Sequence, residues 1–415
     1  MIPRDPFSIP KEWVPREGRE LVEAIRSWAD DKVVPVRHRI DEDWDKHEIC
    51  HPLLKTLCVD VGYQRACWPK EYGGGGIDSI TSALCLEEIS RADSGLATAA
   101  SCSTWAMSPI FPPRENRQLM ELFTPQFLSA DRWYVGSAAI TDERSGSDVE
   151  NIDGTHGRYI ATTARLDGDQ WAINGHKRWP TNSGGLADVF AVFCTTDPAG
   201  GDEAFAIIYV PADTRGVTQG RPFQKAGMAG DLNSDVWFED VRVPVEFRAH
   251  GPDRDAEVAR AFIASGNVGT AAQCIGVMRG VYEVLREWCD RRVVGGKRLK
   301  EHSMTAAVLA EIVTAIEASR ADTYLKARML ARPGTYGQRH VPAMLARTRA
   351  TKLFVTDQLT RVVNLAMDLM GAFGYARMGD VEKYWRDSKI MSLWMGGRGL
   401  AQLDIARWFF QAESY

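Results

Sequence analysis

The spacing of apolar residues changes twice along the chain, and these two changes limit the folds that are open to it. Up to about Phe127, apolar residues recur every three or four positions, as they do on one face of a helix. Between Trp133 and about Val245 they alternate or form short runs bounded by Asp, Gly and Pro, which is typical of strands. From Ala256 onward the helical spacing returns.

This order predicts an α+β fold of three parts. We expect an N-terminal helical domain at residues 1–132, a middle antiparallel β domain at 133–248 and a C-terminal four-helix bundle at 249–415. A length of 415 residues is enough for two or three packed domains. Long helices are predicted at 20–34, 268–291, 304–330 and 343–369. A hairpin is predicted around Asp167-Gly168-Asp169.

Composition excludes several classes of function. The net charge is −5, which argues against binding of nucleic acid or of an anionic membrane surface. No stretch has the ~18 uninterrupted apolar residues of a membrane span, and the N-terminus has no apolar signal region. The eight cysteines are scattered without metal-ligand spacing, so no metal site is predicted. The pattern is that of a cytoplasmic globular protein.

One stretch near the end, residues 381–407, has a pattern that favours ligand binding. It reads as two helices around a break at Gly396, Gly397 and Gly399. Such a break lets backbone N–H groups approach a ligand, and the new helix N-terminus favours an anion or a polar cofactor edge.

Four further segments have both a functional and a structural interpretation. Residues 138–148 form a small-residue loop that either binds a ligand or is simply solvated. Trp179 and Thr181 lie two apart on one strand face, which suits a ligand or ordinary packing. The basic run 289–303 is a solvated helix end or a phosphate clamp. Residues 73–76 are four glycines, for which a turn is favoured over a nucleotide loop.

Taken together, these segments resemble the acyl-CoA dehydrogenase family of flavoproteins, over about residues 20–407. The C-terminal stretch resembles that family's signature through Arg386-Asp387, Trp394, Gly396 and Ala406-Arg407. The loop at 138–148 is similar to its Thr-Glu-Pro-x-Ala-Gly-Ser-Asp motif, and 174–182 to its Asn-Gly-x-Lys-x-Trp-Ile-Thr-Asn motif. Pro180 departs from the latter and removes one backbone donor.

The resemblance implies an FAD enzyme that acts on acyl-CoA thioesters. Its electron acceptor would be an electron-transfer flavoprotein, and it would form a homotetramer or a heterotetramer with a homologous subunit. The implied substrate-binding residues are Ser147, Trp394, Gly396 and Arg407. The implied FAD-binding residues, some of them serving a neighbouring subunit, are Thr141, Gly146, Ser147, Trp179, Thr181, Arg291, His302, Asp368, Gly371, Ala372, Gly397 and Gly399.

The main departure is at the family's catalytic base. Met395 stands where the family usually has a glutamate, and a thioether cannot accept a proton at neutral pH. Some members carry the glutamate instead near the start of a long C-terminal-domain helix. The matching residue here is about Gly266, followed by Asn267.

Four interpretations remain open. In the first, a third residue of this chain is the base, and in the second, a partner subunit carries the base. In the third, the flavin performs elimination or monooxygenation, which needs no such base. In the fourth, the chain is a non-catalytic flavoprotein. The bulk of Trp394, Met395 and Trp105 favours a large or cyclic acyl group over a short straight chain.

Overall fold

The computed structural model describes residues 6–7, 11–151 and 159–411. Helices occupy 16–127, strands 136–244 and helices again 254–410, which confirms the predicted α+β fold. The predicted domain boundaries after residues 132 and 248 lie in the connections between these parts and stay a prediction.

The N-terminal region is helical, and polar side chains set where its main helices begin. The carboxylate of Asp78 accepts the N–H of Thr81 at 2.8 Å, and Asn116 caps the helix that follows it in the same way. The first helix begins earlier than predicted. It also ends earlier, because a π-helical turn at Ala29–Val33 follows it. The helices are α1 (Arg16–Trp28), α2 (Arg37–Ile40), α3 (Cys50–Lys55), α4 (Tyr63–Cys67), α5 (Ser79–Ala92), α6 (Ser94–Trp105) and α7 (Arg117–Phe127).

The four glycines at 73–76 form a structural turn. The N–H groups of Gly74, Gly75 and Gly76 donate to backbone carbonyls within 65–69 at distances up to 3.0 Å. Because these donors are already used, they are not available to a phosphate, and the turn interpretation is confirmed.

The middle region is one sheet in the order β1-β4-β2-β3-β7-β6, with β5 also paired to β4. The predicted hairpin is β2–β3, and Gly168 takes a positive φ of 65° at its turn. Four pairings are antiparallel as predicted, whereas β4 runs parallel to β1 and, at one residue pair, to β2. Alternation reveals which residues face the core but not which strand lies alongside, so the sequence could not show this. The strands are β1 (Gly136–Ala139), β2 (Thr163–Asp167), β3 (Gln170–Thr181), β4 (Val189–Thr195), β5 (Phe205–Pro211), β6 (Val217–Gln219) and β7 (Asn233–Pro244).

The C-terminal region is a helical bundle around one long helix. That helix, α8, begins at Arg254 and not near 268, because its first half is buried and packing overrides the cost of Gly266 and Gly269. It packs against α5, α9, α11 and α13. The remaining elements are α8 (Arg254–Arg291), β8 (Val293–Val294), β9 (Lys297–Arg298), α9 (Ser303–Ala331), α10 (Pro333–Tyr336), α11 (Pro342–Met370), α12 (Ala372–Tyr375), α13 (Val381–Met391) and α14 (Gly397–Phe410).

In the described residues, α8 is the one helix long and apolar enough to cross a membrane by length and composition. Its most apolar window is 78% buried inside the protein, which is the usual situation of a core helix in a bundle.

A buried ionic cluster joins the N-terminal helices to the bundle. Glu87 on α5 accepts a hydrogen bond from Arg279 on α8 at 2.6 Å, and Arg320 and Tyr324 on α9 also donate to it. All four side chains are buried. The carboxylate is therefore shared among three helices that are distant in sequence.

Candidate active site

A cavity of about 950 Å³ lies where the three regions meet. Residues of α5 and α6 line one side of it, and the ends of β1 and β3 line a second side. The helix α8 and the connection between α13 and α14 complete the wall. The volume is at the upper end of the range for small-molecule sites.

The connection between α13 and α14 is tighter than the sequence indicates. α13 ends at Met391 and α14 already begins at Gly397, so Gly399 is helical and not part of the break. Met395, Gly396 and Gly397 all have positive φ values, of 54°, 77° and 59°. We call residues Trp394–Gly396 the cavity loop.

Two cations of α11 hold the cavity loop in place. The Arg349 guanidinium donates to the carbonyl of Met395, and the Lys352 ammonium donates to the carbonyls of Trp394 and Met395. Both side chains are buried. The Trp394 indole N–H also donates to Thr270 Oγ1 on α8 at 3.0 Å. The loop is therefore fixed by its backbone on one side and by its tryptophan on the other.

Met395 and Gly266, the two positions at which the family carries its base, face each other in the cavity wall. A Cβ placed on Gly266 would lie 2.6 Å from Met395 Cε and 2.6 Å from the Trp105 ring. The Met395 side chain is only 8% exposed. The fold thus brings the two positions together. Neither carries a carboxylate, and Gly266 has no room for a larger side chain unless a neighbour moves.

An aromatic pair forms the wall beside Met395. The rings of Trp105 and Phe262 stack with centroids 3.6 Å apart at an interplanar angle of 14°. Both residues line the cavity. The surface beside the cavity loop is consequently flat, wide and apolar.

The residues expected at the flavin ring also line this cavity. Thr141, Gly146, Trp179 and Thr181 do so. Ser147 begins a short 3₁₀ turn, and its side chain lies outside what the structure describes.

Trp179 reaches the cavity because of a bulge in β3. The register between β3 and β7 shifts between Arg178 and Thr181, and Trp179 has a φ of 76° with 52% of its surface exposed. Asn182 is buried beyond the bulge, and its amide donates to the carbonyls of Ala99 and Gly136. A bulge of this kind re-aims a side chain next to a ligand site.

Other predicted cofactor residues lie at the far end of the bundle. Arg291 is exposed and pairs with Glu287, and His302 contacts the carbonyl of Val294 at 2.9 Å in the short β8–β9 hairpin. Trp288, near the end of α8, stacks on Phe373 with ring centroids 4.4 Å apart and so joins the end of α8 to α12. The residues involved, which we call the distal patch, are Arg291, His302, Asp368, Gly371 and Ala372.

The distal patch does not line the cavity of its own chain. This placement is compatible with the expectation that it serves a neighbouring subunit, which stays a prediction. Gly397, Gly399 and Arg407 do not line the cavity either, and their binding roles stay predictions as well.

Charged residues that sequence analysis missed surround the cavity loop. Arg349 and Lys352 are three positions apart on an otherwise apolar helix face, a pattern that could have identified them. Burial lowers the pKa of Lys352 to about 8, and Glu150 partly opposes this. Burial raises the pKa of Glu150, while Arg349 and Lys352 lower it. Nothing in the loop sequence around Glu150 indicated its position. In the described parts of the chain, no group of His, Cys, Asp and Glu side chains has the arrangement of a metal site.

Three family models match successive parts of the chain. They are the acyl-CoA dehydrogenase N-terminal domain at residues 15–112, the middle domain at 137–241 and the C-terminal domain at 256–410. The human mitochondrial short-chain specific acyl-CoA dehydrogenase is 26% identical over 395 residues, covering 95% of this chain and 90% of its own. Cyclohexane-1-carbonyl-CoA dehydrogenase of Syntrophus aciditrophicus is 27% identical over 391 residues, covering 94% and 95%.

Solved structures show the same fold. Butyryl-CoA dehydrogenase from Megasphaera elsdenii superimposes with a TM-score of 0.83 at 23% identity, covering 98% of this chain and 100% of its own. A nitroalkane oxidase reaches 0.85 at 20% identity, covering 97% and 96%. The three domain models together span most of the sequence, and their order matches that of the helical, β and helical regions of the fold. The chain therefore belongs to the acyl-CoA dehydrogenase family of FAD-dependent oxidoreductases.

Proposed function

We propose that this protein catalyses FAD-dependent α,β-dehydrogenation of a bulky or cyclic acyl-CoA thioester, with a base at a position other than the two usual ones. The observation that carries the proposal is the pairing of Met395 with Gly266 in the wall of an otherwise complete cavity. A cavity with an aromatic pair in its wall is present, and residues that we propose for the flavin side line it, whereas neither Met395 nor Gly266 offers a carboxylate.

The residues present fit the cofactor. Thr141, Gly146, Trp179 and Thr181 would hold the flavin end of FAD, because they line one face of the cavity and the β3 bulge turns Trp179 towards it. When bound, FAD supplies an acceptor for the hydride that leaves the substrate β-carbon. Pro180 has no N–H, so the chain offers one backbone donor fewer here than the family motif.

The cavity wall favours a wide acyl group. Trp105, Phe262 and Trp394 present flat apolar surfaces, and Met395 adds an adaptable thioether between them. A ring fits such a surface with more contact than a short straight chain does. The similarity to a cyclohexane-1-carbonyl-CoA dehydrogenase supports a cyclic substrate.

Turnover of a panel of acyl-CoA thioesters with an artificial electron acceptor tests this function. We expect bleaching of the flavin and a higher kcat/KM with cyclohexane-1-carbonyl-CoA than with butyryl-CoA. Highest activity on butyryl-CoA would contradict the substrate assignment. A flavin that none of the thioesters reduces would contradict the reaction.

We also propose that copies of the chain, or a homologous subunit, assemble through the distal patch into a tetramer, and that an electron-transfer flavoprotein accepts the electrons in the cytoplasm. Tyr375 and Met378, beside the patch, are each 77% exposed, which is unusual for large apolar side chains. Light scattering of the purified chain tests the assembly. A monomer that carries a full complement of FAD would contradict it, and activity that requires a co-expressed homologue would show a mixed assembly.

A further inference from the structure

Three carboxylates line the cavity within the described residues: Asp78, Glu150 and Asp231. Asp78 is engaged as the N-cap of α5, where it accepts the N–H of Thr81. Asp231 lies on the β-domain side, and its carboxylate is 3.6 Å from the ammonium of Lys225. Neither of these two is tied to the cavity loop.

Glu150 shares its charged neighbours with the cavity loop. Arg349 and Lys352 both act on its carboxyl group, and both also donate to the carbonyl of Met395. Glu150 and Met395 line the same cavity, and the two cations that hold the cavity loop also act on the Glu150 carboxyl group.

One oxygen of the Glu150 carboxyl group has no hydrogen-bond partner among the described residues. This atom, Oε2, is buried. A buried polar atom without a partner costs about 1–3 kcal/mol, so its retention calls for an explanation. A substrate hydrogen that the carboxylate abstracts would provide one.

We propose that Glu150 is the base that removes the α-proton of the thioester. This assignment rests on the proposed function of the cavity. Glu150 comes from the loop that follows β1, whereas Met395 and Gly266 belong to the C-terminal bundle. The proposed base therefore comes from a different region of the chain than the two usual positions, although all three residues line one cavity.

The step balances within the proposed reaction. The Cα–H bond breaks and its proton passes to the Glu150 carboxylate, which becomes a carboxylic acid. The electron pair of that bond forms the Cα=Cβ double bond as the β-hydrogen leaves as a hydride to FAD, the two-electron oxidant. Glu150 then returns its proton to solvent before the next turnover.

The surroundings of Glu150 suit a base of this kind. Burial raises the pKa of its carboxyl group, Asp404 on α14 raises it further, and Arg349 and Lys352 on α11 lower it. A carboxylate with a raised pKa is a better proton acceptor than an exposed one, while the two cations keep it available in its ionised form.

Hydrogen exchange at the α-carbon tests the assignment independently of flavin reduction. The holoenzyme is incubated with cyclohexane-1-carbonyl-CoA in D₂O, and deuterium at the α-carbon is followed by mass spectrometry. We expect the wild type to exchange it, Glu150→Gln to lose at least 100-fold in rate, and Glu150→Asp to recover part of the loss. The affinity for the thioester and the FAD content of Glu150→Gln should stay within about twofold of the wild type.

Asp231→Asn is the comparison variant, since it neutralises another carboxylate of the cavity, one that is paired with Lys225. It should exchange at the wild-type rate. Equal exchange rates in the wild type and Glu150→Gln would overturn the assignment. Loss of exchange in Asp231→Asn alone, or no exchange in the wild type, would also overturn it. Glu150-dependent exchange without flavin reduction would support the base but contradict the proposed dehydrogenation. If Glu150→Gln still reduces the flavin, that result would support the proposed dehydrogenation but contradict Glu150 as its base.

Discussion

At the scale of single residues, the main feature of the site is the pair Met395 and Gly266, at the two positions where the resemblance places the base. The two side chains occupy one small volume, and adding a Cβ to Gly266 would displace Met395 or Trp105. The absence of a carboxylate at both positions is therefore one feature of the cavity wall. It removes a proton acceptor and gains room and apolar surface.

Restoring the carboxylate at Met395 should show how much of the usual site remains. We expect Met395→Glu to raise flavin reduction by butyryl-CoA at least tenfold, because a positioned base contributes about 10²–10⁴ to such a rate. Stopped-flow bleaching of the flavin measures it. Met395→Gln introduces a side chain of nearly the same shape as glutamate but without its charge, so its rate of flavin reduction should not rise. Equal rates for the two variants would indicate that the loop no longer points this side chain at the substrate.

Lys352 gives the protein a particular dependence of stability on pH. Its pKa is about 8 in the folded protein, whereas an unfolded lysine titrates near ~10.4. Between these values the unfolded state binds more protons, so the free energy of unfolding contributed by Lys352 rises with pH, by up to about 3 kcal/mol.

Denaturant unfolding of the wild type and of Lys352→Met at several pH values tests this dependence. The free energy of unfolding of the wild type, relative to that of Lys352→Met, should rise from pH 8 to 10 and stay constant between pH 6 and 7.5. A difference that does not change up to pH 10 would show that Lys352 titrates normally.

At the scale of elements, the cavity loop depends on backbone conformations that few residues adopt. Three consecutive positive φ values let the chain reverse between α13 and α14 within a few residues. This brings the carbonyls of Trp394 and Met395 against the cations of α11. The loop is thus shaped by its glycines and held by α11.

Gly396→Ala tests that dependence. The φ of Gly396 is 77°, and a Cβ there would lie 2.7 Å from Arg349 Nη1, so we expect a loss of about 1–3 kcal/mol in the free energy of unfolding. Gly399→Ala is the control, because Gly399 is helical with open space around it. Alanine there should add about 0.5–1 kcal/mol. Equal effects at both positions would contradict the observed loop conformation.

At the scale of the whole molecule, the cavity exists only because the three regions are held together. The β domain supplies one part of its lining, α5 and α6 supply a second, and the bundle supplies α8 and the cavity loop. Glu87, shared by Arg279, Arg320 and Tyr324, is a main polar link between α5 and the bundle.

Removing that link should destabilise the protein strongly. Glu87→Ala leaves the buried Arg320 without its carboxylate and Arg279 with Glu88 alone, for which we expect a cost of about 3–5 kcal/mol. Chemical denaturation measures it. Glu20→Ala breaks an exposed pair with Arg16 and should change little. A small effect of Glu87→Ala would mean that water or Glu88 replaces the lost carboxylate.

The sequence by itself determined the order of helices and strands and the family, and four of the residues that it predicted for the flavin line the cavity. Periodicity carries this information because burial repeats with the geometry of each element. It also showed that Met395 cannot act as a base, since that follows from the chemistry of a thioether. It did not reveal the parallel pairing of β1 with β4 or the early start of α8.

Only the tertiary structure decided what surrounds the missing base. Glu150, Gly266 and Met395 are separated by up to about 245 positions in the sequence and line one cavity. No local pattern encodes such a meeting, because it depends on how the β domain docks on the bundle. A glutamate in a polar loop looks solvated until the fold buries it beside two cations, and burial is what turns it into a candidate for catalysis.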